Sequence, residues 1–250
     1  MLNRFLKLSA FIALAAVSTL KAQTIDTLNL RNSRLKINVH AGIEFNQLGN
    51  LRSSFVEIRD YLRALDIGIP DQLVHPRSNA FGASVLFSLK DRMYFGAGFE
   101  HLSSEANLLY GDAVGTADLN CTLDVNKFLI TGQYVLPYKR YFSPFAEMNL
   151  GVLSAKYEFT NKIRFYQPFP ENMYEKSSGE RNTLVISLFL GAQNNVYKNI
   201  VLFEKLGYQF SSISGIPVKV ESDVEHSPVT TYTYIDLRGL LLQFGAEYQL

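Results

Sequence analysis

From Leu35 to Leu250 the chain alternates apolar and polar residues with a period of two, in eight separate segments. Successive side chains of an extended strand point to opposite faces, so each segment is a strand with one apolar face. The first, Leu35 to Asn46, sets Leu35, Ile37, Val39, Ala41, Ile43 and Phe45 against Lys36, Asn38, His40, Gly42 and Glu44. Asn79 to Lys90 and Met93 to Ser103 repeat the pattern, through Phe81, Ala83, Val85, Phe87 and Leu89 and then Phe95, Ala97 and Phe99. Four more segments carry it at Phe128 to Leu136, from Phe145 onward, at Leu184 to Ala192, and at Leu206 to Phe210. The eighth closes the chain with Leu240, Leu242, Phe244, Ala246, Tyr248 and Leu250. The absence of Trp beside 14 Tyr and 18 Phe suits strands better than helices.

The connections alternate as well. Those after the second, fourth and sixth segments are short: Lys90 to Arg92, Pro137 to Pro144, and Tyr197 to Ile200. Those after the first, third, fifth and seventh are long: Gln47 to Ser78, Ser104 to Leu119, Thr160 to Asn182, and Ser212 to Thr233. A soluble sandwich has no reason to alternate in this way. A transmembrane barrel with both termini in the periplasm does, with short periplasmic turns and long outer loops. The expected fold is therefore all-β, an eight-stranded antiparallel up-and-down barrel. Each span needs only ~9–11 residues, so eight spans use roughly 80.

In hydrocarbon every backbone polar group must find a partner within the protein, and a closed sheet provides this without an edge. The apolar faces then meet lipid. The opposite faces fill an interior too narrow for a wide channel. Parity places Lys36, Glu44, Glu100, Lys127, Glu147, Lys205 and Glu247 there. Three Lys and four Glu nearly balance, which points to a salt-bridged polar core, since an unpaired buried charge is costly. Tyr94, Tyr134, Tyr138, Tyr141, Phe142, Tyr197 and Tyr248 lie beside the short turns or the C-terminus, where the periplasmic interface favours aromatic rings. The parity fails in two places: Leu119, Cys121, Leu123 and Val125, and Leu153, Ala155, Tyr157 and Phe159. A β-bulge or a strand leaving the membrane accounts for either.

Ahead of the strands, residues 1–22 read as an export signal. Arg4 and Lys7 precede the apolar run Leu8 to Leu20, which is short for a membrane anchor, and Ala22 supplies a small residue for cleavage. Residues 23–34 form a periplasmic lead, and 35–250 the barrel. Loss of Arg4, Lys7 and Lys21 takes the formal net charge from +1 to −2. Such a balance gives no footprint for nucleic acid. A single cysteine rules out a disulfide framework.

The signal, the eight alternating segments and the ending Leu242, Phe244, Ala246, Tyr248, Leu250 together resemble small porin-like outer-membrane β-barrel proteins of Gram-negative bacteria. The resemblance implies contact with outer-membrane lipid and lipopolysaccharide. It also implies recognition of the last strand by the barrel-insertion machinery, although Leu250 stands where an aromatic is usual. Outer-membrane lipid A deacylases use a His-x-Ser pair on a strand, and His101-x-Ser103 is similar, with Glu105 or Asp112 as candidate orienting carboxylates. That pair lies on an early segment, and Ser104 replaces the Asn of that family.

No phosphate loop or nucleophile elbow occurs, and His40, His75, His101 and His226 are dispersed without metal-ligand spacing. No enzyme activity and no cofactor is expected. Within the first long connection, Leu51, Phe55, Ile58, Leu62 and Leu65 form a helical stripe, with Ser54 and Glu57 as a capping box and Gly68 and Pro70 as stops. A helix over 51–66 would cover the mouth or dock a partner. The aromatic, proline-rich run Arg164 to Pro170 offers loop packing or ligand contact, and Cys121 reads as a small buried apolar residue. The role expected is structural or binding, through outer loops that meet an extracellular protein or small molecule. A small non-specific pore and a soluble periplasmic barrel around an apolar ligand are the alternatives.

Overall fold

The computed structural model describes residues 34–46, 77–111, 115–136, 143–166, 172–222 and 231–250, together with Val56, Asp60, Arg63 and Ala64. Those four are helical; the rest of the helix expected over 51–66, the signal over 1–22 and all but Arg34 of the lead lie outside the described residues. Ten strands are described: β1 (Leu35–Asn46), β2 (Arg77–Lys90), β3 (Met93–Gly111), β4 (Gly115–Val135), β5 (Ser143–Phe165), β6 (Asn172–Tyr197), β7 (Ile200–Phe210), β8 (Ser212–Ser222), β9 (Thr231–Asp236) and β10 (Gly239–Gln249).

Each strand from β1 to β6 pairs antiparallel with the next, β7 pairs with β10, and β10 returns to β1. The ring of eight is closed. β8 and β9 are outward continuations of β7 and β10, set off only by Ser211 and by Leu237 and Arg238. The stagger of the ring can be read from register partners. From Ile200 they lead through Tyr248, Ile37, Val85, Ala97, Ile130, Leu150 and Ile186 back to β7 at Phe210, ten residues further on. Every member of that spiral is aliphatic or aromatic, and exposed. With ~3.3 Å per residue and ~4.8 Å between strands, this stagger tilts the strands by about 40° and gives a backbone radius of about 8 Å.

Three of the four connections expected to be long are mostly strand. β3 runs on to Gly111 and β4 starts at Gly115; β5 runs to Phe165 and β6 starts at Asn172; β8 and β9 fill much of 212–233. Strands of 19, 21, 23 and 26 residues reach about twice the ~9–11 that a tilted span requires. The hairpins therefore stand well clear of the bilayer as a β-sheet.

This explains the broken parity without any bulge. The β3–β4, β4–β5 and β5–β6 registers are continuous. Leu119, Cys121, Leu123 and Val125 face the same interior as Lys127, and Leu153, Ala155, Tyr157 and Phe159 the same interior as Glu147. What changes is the solvent. In the membrane half, lipid lies outside and the apolar side chains point outward. In the outer half, water lies outside, and the apolar side chains point inward to form a core with Leu102, Ile213, Ile216 and Ile235. A soluble barrel would keep its apolar faces inward throughout, and the membrane half does the reverse.

Of the aromatics expected at the periplasmic interface, Tyr134, Tyr197 and Tyr248 face outward and are exposed, whereas Tyr138, Tyr141 and Phe142 lie outside the described residues. Tyr94 departs from the expectation. Met93 and Phe95 take the lipid face, so Tyr94 points inward and is buried.

Candidate functional site: a lumen crossed by ion pairs

The strands bring the inward side chains of the membrane half together in tiers. At the periplasmic end Lys36 of β1 pairs with Glu247 of β10 at 3.0 Å. Its ammonium also donates to Gln133 of β4 at 3.2 Å and lies 3.8 Å from the centre of the Tyr94 ring. Gln249 donates to Glu247 at 2.6 Å. Above this, Lys205 of β7 pairs with Glu147 of β5 at 2.6 Å, and Asn149 donates to the same carboxylate at 3.2 Å. Lys205 also sits over the Phe189 ring at 4.5 Å. That ring occupies the space over Gly207, its register partner, where a Cβ would come within 2.4 Å of Phe189 Cδ1.

The third tier spans the lumen. Lys127 of β4 reaches Glu44 of β1 at 2.5 Å and Glu100 of β3 at 2.7 Å. Glu100 accepts in addition from Gln243 of β10 at 2.6 Å, and its other contact is His40 Nε2 at 3.1 Å. Register explains the last contact. Gly82 of β2 lies between His40 and Glu100 in one row, and a Cβ there would stand 2.5 Å from His40 Nε2. Only glycine lets the two side chains meet across it.

All seven residues expected in the lumen are at most 5% exposed, and each has an oppositely charged partner within 3.0 Å. Lys36 with Glu247 and Lys127 with Glu100 join neighbouring strands. Lys127 with Glu44, Lys205 with Glu147, Lys36 with Gln133 and Gln243 with Glu100 join strands that are not neighbours. These side chains bridge the lumen instead of lining its wall. Next outward, Gln209 donates to the Leu237 carbonyl at 2.9 Å, and Leu102, Val125 and Leu153 begin the apolar core. Charge counting along the strands misses His40, Gln133 and Gln243. A signal exists for His40, which shares a face with Lys36 and Glu44, but its distance in sequence from the other histidines hides it.

His101 and Ser103 do share a face, on the outside of β3. His101 Nδ1 lies 2.9 Å from Asn126 Oδ1, and Ser103 is the register partner of Asp124. Among the described residues no hydrogen bond joins His101 to Ser103. Glu105 accepts from Asn107 at 2.9 Å, and Asp112 lies outside the described residues. Cys121 is buried. No group of three His, Cys, Asp or Glu side chains able to hold a metal occurs among the described residues.

A closed ring of strands with a continuous apolar outer belt pairs its backbone internally while facing hydrocarbon. The described strands form the closed β-barrel of an integral membrane protein. No protein-family model matches the chain. No curated protein matches it either. Among solved structures, it is similar to Neisserial surface protein A, at 9% identity over 86% of this chain and 96% of that one, with a TM-score of 0.43. A major outer membrane protein from Thermus thermophilus aligns at 13% identity over 86% and 99%, TM-score 0.43. The outer membrane protein OprG from Pseudomonas aeruginosa aligns at 10% identity over 88% and 97%, TM-score 0.42.

Proposed function

We propose that this barrel is a non-conducting, non-enzymatic anchor that holds a rigid β-sheet above the outer membrane for contact with an extracellular partner or ligand. The observation that carries this reading is the Lys127 bridge to Glu44 and Glu100 across the lumen, capped by the apolar layer of Leu102, Val125 and Leu153. Below that layer, the described side chains that cross the lumen are tied to one another by ion pairs and hydrogen bonds, which supports a filled interior over an open channel. The four long strands build a β-structure outside the bilayer, a surface suited to contact with a partner. Lipid and lipopolysaccharide surround the belt, and the closing strand, with Phe244 and Tyr248 outward, is the segment offered to the insertion machinery.

Planar-bilayer recording on the refolded protein tests the reading. No discrete conductance steps are expected at potentials that open porins. Stable, ohmic single-channel steps would overturn it in favour of a small pore.

A further inference from the structure

The wall of the barrel has a seam. The β6–β7 register ends outward at Ile186 with Phe210, and β6 pairs with β8 only from Ser178 with Lys219 to Glu175 with Ser222. Between these limits, residues 179–185 of β6 face residues 211–218 without ladder pairing among the described residues. Local chemistry explains the gap. Ser211 interrupts the strand, the β8–β9 register shifts between Ile213 and Ile216, Gly215 has φ +64°, and Pro217 has no N–H to donate.

Side chains bridge the seam in place of a ladder. Arg181 Nη1 donates to the Gly215 carbonyl, Thr183 Oγ1 to the Ser212 carbonyl at 3.4 Å, and Ser211 Oγ to the Leu184 carbonyl at 3.1 Å. Both breaks in the outer hairpin lie side by side, since Leu237 N donates to the Ser211 carbonyl at 3.1 Å. Behind the seam lies the apolar core that contains Cys121, Tyr157, Ile213 and Ile216.

We propose that the β8–β9 hairpin is a hinged flap. Ser211 and Leu237–Arg238 form its hinge, Arg181, Thr183 and the short ladder from Ser178 with Lys219 to Glu175 with Ser222 latch it to β6, and its release uncovers the apolar core of the outer half. The β3–β4 and β5–β6 hairpins, with unbroken ladders, have no equivalent hinge among the described residues. Opening of this kind is a sub-global fluctuation of the least-paired unit, not an unfolding of the barrel.

Cys121 is a built-in probe, the only cysteine in the chain. Burial pushes its thiol up to about 12, so in the closed state it is both covered and protonated. The test is the rate of maleimide labelling of Cys121 in the full-length barrel refolded into phosphatidylcholine vesicles. Loss of a charged donor weakens the latch enough that Arg181→Ala should label about tenfold faster or more. Lys156→Ala, on the water-facing side of β5, should label at the wild-type rate. Amide exchange should rise over 212–222 and 231–236 but not over 115–126 or 153–165. An unchanged labelling rate in Arg181→Ala, or exchange that rises equally in all three hairpins, would overturn the proposal. Should Arg181→Ala fail to fold, Thr183→Val reads the same latch, and its Cys121 rate decides the question by the same criterion.

Discussion

Replacing Lys127 by Met removes one ammonium and leaves two carboxylates facing each other. Lys127 lies 2.5 Å from Glu44 and 2.7 Å from Glu100, and all three side chains are at most 5% exposed. Methionine keeps nearly the same volume, so packing is spared and the electrostatic change is isolated. Breaking a buried pair by removing one partner costs about 3–5 kcal/mol. With a urea slope of ~2 kcal/mol/M, the unfolding midpoint should fall by roughly 2 M. The assay is urea unfolding of the barrel in lipid vesicles, followed by the loss of heat-modifiable migration. Two further substitutions, Glu44→Gln and Glu100→Gln, remove the uncompensated charge, and the triple variant should recover most of the loss. Glu100→Gln keeps an acceptor for Gln243, which donates to that position at 2.6 Å. A loss below about 1 kcal/mol in Lys127→Met, the range of exposed ion pairs, would mean that the bridge is hydrated and the lumen wet, against a dry ion-paired interior.

Two other outcomes follow from the same structure. Ile130→Lys, on the lipid face of β4, should cost ~2–4 kcal/mol in vesicles, whereas Asn120→Lys, on the same face above the bilayer, should change stability by less than about 0.5 kcal/mol; urea midpoints of the two variants check this. At the hinge, hydrogen bonds from Arg238 hold the Asp236 carboxyl below the usual carboxylate range. A depressed carboxylate contributes stability that is present above its unfolded value of about 3.9 and is lost as pH falls through the folded value. The stability difference between wild type and Asp236→Asn should therefore be full at neutral pH and shrink below about pH 4, as followed by thermal unfolding against pH.

The membrane half is legible from sequence because one rule governs it: a period of two with oil outside. That rule identifies the strands, the ring and the inward position of all seven Lys and Glu residues. It also suffices to place Tyr94, whose neighbours Met93 and Phe95 claim the lipid face. What the pattern does not carry is the place where the outer solvent changes. Leu119 to Val125 look displaced only if oil is assumed outside throughout. Water on that side reverses the meaning of the same alternation, and three strand pairs read as loops for that reason. The pairings across the lumen are illegible for another cause. Lys127 meets Glu44 from a strand three places away, a partnership set by strand stagger, not by spacing in the chain. His40 meets Glu100 through the opening at Gly82, which no spacing rule announces.

The point of reversal is itself a physical marker. On four adjacent strands the apolar outward row of the membrane half ends at Phe99, Phe128, Val152 and Leu184, which are register partners in turn. The next row outward is His101, Asn126, Ser154 and Asn182, all polar. On the inner face the change runs the other way, from Glu100 to Leu102 on β3 and from Lys127 to Val125 on β4. On these two strands both faces switch within about one turn of the pleat, so the lipid boundary is sharp. Sliding the barrel by one such step would put a row of polar groups into hydrocarbon or a row of large apolar groups into water. At ~25 cal/mol per Å² of apolar surface, one buried aromatic or aliphatic side chain is worth ~1.5–3 kcal/mol, and four in a row make the depth of insertion a well-defined minimum. The hinge at Ser211 and Leu237–Arg238 falls beside this boundary, between outward Phe210 below and Ser212 above. The part of the barrel free to move is thus the part that lipid does not hold.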